Sequence, residues 1–216
     1  MRQRILDLSY KYQLSHIGSC LSMVDILDAI FTVKKPEDKL ILSNGHAGLA
    51  LYVALEKYCK VNAEFLLNKN GVHPNRDDEY IDCSTGSLGQ GISIAVGMAL
   101  TGRKVFCTLS DGEMAEGSVW EALRIASENN LLNLKLVLNC NGWGAYGQTD
   151  YENLVTRVRA FGWSVYEGNT KNKIIYGLEL PAQVTVMVRT KGEFGQTKGQ
   201  DCHYKVLTKG EYEALR

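Results

Sequence analysis

Two stretches decide the fold: KVFCTLSDGEMAEG (104–117) and LKLVLNCNGWG (134–144). Each opens on a short apolar run and closes on an Asp-Gly or Asn-Gly pair. Short apolar runs flanked by polar or glycine residues read as strands buried on both faces. WSVYE (163–167) and VTVMV (184–188) read the same way. Between the runs, residues 47–58, 92–101 and 118–129 carry apolar side chains at helical spacing, and Ser22 with Asp25 three residues on reads as the cap of a helix reaching about Phe31. The weak periodicity of 168–183 leaves a helix and an irregular connection both open. Strand alternating with helix predicts an α/β fold, a doubly wound and mostly parallel sheet with helices on both faces, whose ligand site lies outside the carboxyl ends of the strands. No repeat or linker divides the 216 residues, so a single domain over 1–216 is expected.

Composition removes several classes of function. Lysine plus arginine equals aspartate plus glutamate at 24 each, and no long run of one sign occurs, so the chain lacks the electrostatic footprint of a nucleic-acid or anionic-membrane binder. Six cysteines are scattered without a CxxC pair, and MRQRILDLSY has no apolar signal core, which together point to a reduced, cytoplasmic protein. The uncharged stretch from Cys83 to Gly102 approaches membrane-spanning length, but its serines, threonines, glutamine and glycines argue for a buried loop and helix.

Chemistry is expected at the strand ends. Asp111 follows KVFCTL with Gly112 beside it, and an acid there, next to a glycine that lets phosphate approach the backbone, suits a hard cation bridging to a phosphorylated ligand. Asn141 holds the equivalent position after the next strand, 30 residues further on. If the two strands are neighbours, a carboxylate and an amide oxygen meet at one ion, most naturally Mg²⁺. Asp-Gly and Asn-Gly are equally the residues of ordinary turns. The loop TGSLGQG (85–91) feeds the helix ISIAVGMAL and offers amides to a phosphate or backbone to a flat ring. Its spacing is not the GxGxxG dinucleotide fingerprint.

These pieces, with SHIGSCLSMVDIL (15–27), DKLILSNGHAGLALY (38–52), VHP (72–74), STGSLGQGISIAVGMA (84–99), SDGEMAEGSVWEAL (110–123) and DCHYK (201–205), occur in the order found in the N-terminal part of transketolases, and the chain resembles that family over almost its whole length. The resemblance implies a thiamine-diphosphate-binding fold. It implies that His16 and His203 flank the thiazolium and the incoming aldehyde, that His46 and His203 contact the diphosphate, and that His73 meets the donor's terminal hydroxyls. These are all four histidines of the sequence. It further implies that Asp111, Asn141 and the carbonyl of Trp143 hold Mg²⁺ (Ca²⁺ being an alternative), that Gly112 offers an amide to the diphosphate, and that Gly86, Ser87 and Leu88 lie by the aminopyrimidine. Glu116 and Glu121 resemble acids of a hydrogen-bonded network across a subunit interface, whereas Trp120 reads as core. Ser110 and Asn139 depart from the family pattern, where glycine and an acidic residue are common, and 168–184 is short for the family.

In the family, a second, pyrimidine-binding module supplies the glutamate that activates the cofactor and the arginines that hold the sugar phosphate. The sequence is therefore expected to be the N-terminal subunit of a split transketolase, working in an α₂β₂ heterotetramer with a C-terminal subunit carrying that module. The alternatives are a two-carbon transferase for an unusual, nucleotide-linked or surface sugar, the α subunit of a 2-oxoacid decarboxylase complex, a deoxyxylulose-phosphate-synthase-like enzyme, and a scaffold that has lost activity.

Overall fold

The computed structural model describes residues 1–191, 193–194 and 197–215. In chain order the elements are α1 (Arg2–Lys11), α2 (Ile17–Ser22), α3 (Val24–Val33), β1 (Lys39–Leu42), α4 (Gly48–Cys59), α5 (Ala63–Asn70), α6 (Gln90–Leu100), β2 (Val105–Ser110), α7 (Gly117–Glu128) and β3 (Leu134–Cys140). There follow a two-rung ribbon of β4 (Trp143–Gly144) and β5 (Gly147–Gln148), then α8 (Tyr151–Ala160), β6 (Ser164–Glu167), α9 (Lys171–Glu179), β7 (Val184–Arg189), a second ribbon of β8 (Glu193–Phe194) and β9 (Thr197–Lys198), and α10 (Lys209–Leu215).

Five strands form one parallel sheet in the order β1-β2-β3-β7-β6. Every residue of β2 and β3 is buried, which is what uncharged runs such as VFCTL require when both faces are covered. Alternation along the strands divides the core. Ile41, Cys107, Leu136, Leu138 and Met187 pack with α6, α7 and α8. Leu40, Leu42, Phe106, Val137, Val186 and Val188 pack on the opposite side with α1 to α5 and α9. The expected doubly wound parallel arrangement is found.

Four local expectations change. Ser22 does not cap α3: it ends α2, its hydroxyl donates to the Ser19 carbonyl at 2.9 Å and accepts from Asn139 Nδ2 at 2.7 Å, and α3 starts after Met23 without a side-chain cap. WSVYE is not buried on both faces. It is an edge strand paired to β7 alone and is half exposed, while Trp163 stays outside it, 2% exposed and donating to the Leu123 carbonyl at 3.0 Å. The open segment 168–183 contains α9, started by Thr170, whose hydroxyl accepts from Lys173 N at 3.4 Å, and anchored by buried Ile174 and Leu178. The additional strand β1 occupies the other edge. The uncharged stretch from Cys83 is a loop followed by α6, and among the described residues no helix is long and apolar enough to cross a membrane.

Candidate active site at the strand tips

β2 and β3 run in register from Val105 opposite Leu134 to Ser110 opposite Asn139, so their next residues leave the sheet side by side. Asp111 is 1% exposed. Its Oδ1 accepts from the Gly112 amide at 3.0 Å, and its Oδ2 accepts from the Gly142 amide and the Thr149 hydroxyl, each at 2.7 Å. The carboxylate is thus bonded directly to the turn that follows β3. Asn141 Oδ1 in turn accepts from the Trp143 amide at 2.9 Å. A Cβ added at Gly112 would lie 2.9 Å from Gly144 Cα and 3.6 Å from the Trp143 carbonyl oxygen, so the absence of a side chain is what lets these two turns close on each other.

Asp111, Asn141 and Trp143, expected to share a metal, therefore stand on two touching turns, and the turn chemistry weighed as their bland alternative is present as well. An ionised carboxylate has about four acceptor positions. Three are used at Asp111, which leaves one on Oδ1. Burial holds the carboxyl above its usual range in spite of the bonds from Thr149, Gly142 and Gly112 that pull it down. A nearby cation relieves that cost. A buried acid with a spare lone pair, an amide oxygen and a backbone carbonyl form the oxygen set that a hard divalent ion takes, so the residues fit such an ion. Among the described residues no cluster of three or more His, Cys, Asp or Glu side chains is placed to hold a metal, so water or ligand oxygens would complete its shell.

Three of the four histidines form a packed triangle. Ring centroids are 4.6 Å apart for His16 and His203, 5.3 Å for His16 and His46, and 5.4 Å for His46 and His203. They arrive from distant parts of the chain: His46 follows β1, His16 starts α2, and His203 ends the turn before α10. The His16 amide donates to the His203 carbonyl at 3.1 Å, and His16 sits at φ 62°, a left-handed conformation uncommon for a residue with a Cβ. Burial, joined by the neighbouring His203 and His73, lowers the His16 pKa to about 4. Burial, with His16, His203 and His73 behind it, lowers His46 to about 3, and burial alone lowers His203. The triangle is therefore uncharged at neutral pH. His73 stands outside it and is exposed, with its Cδ2 3.0 Å from where a Gly86 Cβ would be.

A cavity of about 310 Å³ joins the two groups, lined by Ser19, His46, Leu88, Ser110, Gly112, Glu116, Asn141, Trp143, Gly144, Ala145, Tyr146 and His203. That is within the usual range for a ligand site. It brings together residues of the tips of β1, β2 and β3, the glycine loop and the His203 turn. A larger cavity of about 480 Å³ lies at the amino end of β1 beside Lys39, Tyr58 and Tyr80, where Lys39 is paired with Asp82 and Asp38 with Lys104. Being at the wrong end of the strands, it is not the expected site.

Of the remaining expected residues, Gly86 and Leu88 are half buried and Ser87 is exposed. Glu116 and Glu121 are both exposed. Trp120 donates to the Met114 carbonyl at 2.8 Å and packs on Phe161, as a core residue should. Sequence reasoning passed over Glu113 and Ser43. Glu113 is fully buried and its Oε1 accepts from the Ser43 hydroxyl at 2.5 Å and the Gly89 amide at 2.8 Å. Nothing in a run with three acids, SDGEMAEG, marks the middle one as internal; only its place in the tight turn after Asp111 hints at it.

A parallel sheet with an acid and an amide on adjacent tips, and a histidine cluster beside them, defines an α/β domain whose ligand site lies at the carboxyl ends of its strands. The chain belongs to the transketolase family: residues 1–184 match the model described as transketolase, thiamine diphosphate binding domain. It is 37% identical over 178 residues to mouse transketolase-like protein 2, covering 70% of this chain and only 28% of that protein. It is 32% identical over 194 residues to one of the named subunits of the apulose-4-phosphate transketolase of Phocaeicola vulgatus, covering 78% of this chain and 69% of the relative. The crystal structure of transketolase from Campylobacter jejuni superposes with a TM-score of 0.84 at 26% identity, over 97% of this chain and 40% of that one.

Proposed function

We propose that the chain is the diphosphate-binding subunit of a transketolase, moving a two-carbon ketol unit from a ketose to an aldose together with a second polypeptide that carries the pyrimidine-binding module. The observation that carries this reading is the packed triangle of His16, His46 and His203 beside the Asp111–Asn141 pair. When bound, thiamine diphosphate supplies the nucleophilic carbon and the electron sink for breaking and making a carbon–carbon bond. Asp111, Asn141 and the Trp143 carbonyl would hold its Mg²⁺, or Ca²⁺, and Gly112, whose amide faces Asp111 Oδ1 at 3.0 Å, would offer that amide to the diphosphate, with His46 and His203 alongside. Gly86, Ser87 and Leu88 give backbone and one apolar side chain to the aminopyrimidine.

A neutral imidazole both gives and takes protons, which suits a reaction that interconverts hydroxyls and carbonyls. His16 and His203 exchange protons with the sugar oxygens, and His73 holds the donor's terminal hydroxyls from the rim. Glu116 and Glu121 are free to reach the partner polypeptide within an α₂β₂ assembly. The Phocaeicola vulgatus relative is by name one part of a transketolase made of more than one polypeptide, which supports a split enzyme. Its named sugar favours a second reading, an unusual sugar as substrate. Free thiols at Cys20, Cys59, Cys83, Cys107 and Cys140 support a cytoplasmic setting.

The test is ketol transfer from xylulose 5-phosphate, and from less common ketoses, with and without the partner. Turnover should require both polypeptides, thiamine diphosphate and a divalent ion. Asp111→Ala should reduce it by at least a hundredfold, since the ion then loses its one charged ligand. Transfer unaffected by Asp111→Ala, or activity only on pyruvate, would refute the reading.

A further inference from the structure

Glu113 is the buried acid for which the site so far has no task. It lies two residues after Asp111, and one of its oxygens, Oε1, receives both the Ser43 hydroxyl at 2.5 Å and the Gly89 amide at 2.8 Å. Its own amide donates to the Ser110 hydroxyl at 3.2 Å. Oε2 is buried with no donor among the described residues. A carboxyl buried with an oxygen unpaired costs stability against an apolar side chain of the same size, so packing does not account for it.

What it joins does. Ser43 directly follows β1 and is three residues ahead of His46, while Gly89 directly follows Leu88 and starts α6. Gly89 adopts φ 81°, and a Cβ there would lie 2.8 Å from Glu116 Cβ, so only glycine fits this approach. Its carbonyl accepts from the Ser118 hydroxyl at 3.0 Å. The glycine loop is thus clasped at both ends of one residue, the amide by Glu113 and the carbonyl by Ser118. Leu88 and His46 are two walls of the cavity, and Gly112 with Asn141 forms another. A single oxygen of Glu113 fixes the first two relative to the third.

We propose that Glu113 is a positioning residue that sets the distance between the ring-facing wall of the cavity at Leu88 and its diphosphate-facing wall at Gly112 and His46, without itself touching the cofactor. The proposal rests on the thiamine diphosphate reading of the site. It distinguishes the two ends of the ligand. Loss of the clasp frees the ring-facing wall, whereas the diphosphate end, held by Asp111 and the β3 turn, keeps its geometry.

The experiment measures binding of two probes by the assembled enzyme in the presence of Mg²⁺: thiamine diphosphate, and inorganic pyrophosphate, which reports on the diphosphate end alone. Glu113→Leu should weaken thiamine diphosphate about tenfold or more, the loss of two hydrogen bonds at a buried acceptor, and leave pyrophosphate within about twofold. Glu113→Gln, whose amide oxygen still accepts from Ser43 and Gly89, should restore most of the lost affinity. Ser43→Ala removes one of the two bonds with little threat to folding and should give the same split, about threefold. Equal weakening of both probes, or of neither, in Ser43→Ala and in folded Glu113→Leu overturns the proposal, as does a Glu113→Gln variant no better than Glu113→Leu. Wild-type enzyme that binds neither probe overturns the cofactor reading itself.

Discussion

His46 is buried against His16 and His203, with no acid among the groups that shift it, so burial and three like-charged neighbours all act in one direction, to about 3. His16 follows to about 4. In the unfolded chain both return to the ordinary value of 6.5. Between 6.5 and the folded values the unfolded chain binds protons that the folded chain does not, so stability falls as pH is lowered through that window. The contribution of His46 is on the order of a few kcal/mol, and that of the more open His16 is smaller because solvent screens it. His46→Asn should therefore lose less stability than the wild type between pH 6.5 and pH 4 in paired denaturant titrations. Parallel stability curves for the two proteins across that range would sink this account. The same neutrality keeps the cluster able to accept a proton at working pH, which ties a stability cost to the proposed chemistry.

Asn139, the last residue of β3 but one, shows how elements are locked together beneath the site. It is 1% exposed, donates through Nδ2 to the Ser22 hydroxyl at 2.7 Å, and accepts through Oδ1 from the Thr190 hydroxyl at 2.8 Å. The end of α2, the tip of β3 and the residue after β7 are joined by one amide. An acid at this position could only accept, and the Ser22 proton is already given to Ser19. Asn139→Asp should then cost roughly 1–3 kcal/mol, read as a lower denaturant midpoint at unchanged slope; an unshifted midpoint would remove the argument. This network, like β1, was hidden in the sequence. The apolar strands β2, β3 and β7 were legible because burial on both faces leaves an uninterrupted run, α6 and α7 because one face is apolar, and α4 because its apolar run from Gly48 to Leu55, buried all round, is too long for a strand. β1 is four residues long and runs straight into SNGH. α1 and α8 carry so many polar residues that periodicity alone did not reveal them. At the site, the residues on the β2 and β3 tips could be read from strand order, and the histidines only through resemblance. Glu113 could not be read at all, because its partners, Ser43 and Gly89, are 70 and 24 residues away.

On the scale of the whole molecule, the cavity is a place where separate parts of the chain end. Its walls come from residues 19, 46 and 88, from 110 to 116, from 141 to 146 and from 203, so a ligand seated there touches segments far apart in the chain that only the fold brings together. Such a ligand cannot remain bound to the unfolded chain, where those segments separate. Binding to the native state alone stabilises it by about 2.7 kcal/mol when the free ligand is at a hundred times its dissociation constant. For a chain of 216 residues that corresponds to a rise in Tm of about 5–10 °C. Thiamine diphosphate with Mg²⁺ should produce it in the assembled protein, either component alone should produce much less, and chelation of the ion should reverse it. Asp111→Asn keeps an acceptor for Gly142 and Thr149 but removes the charge and turns an NH2 toward the Gly112 amide, so it should lower the ligand-free Tm slightly and abolish the shift. A full shift in Asp111→Asn, or an equal one without the divalent ion, would mean that the ligand is held somewhere other than at the tips of β2 and β3.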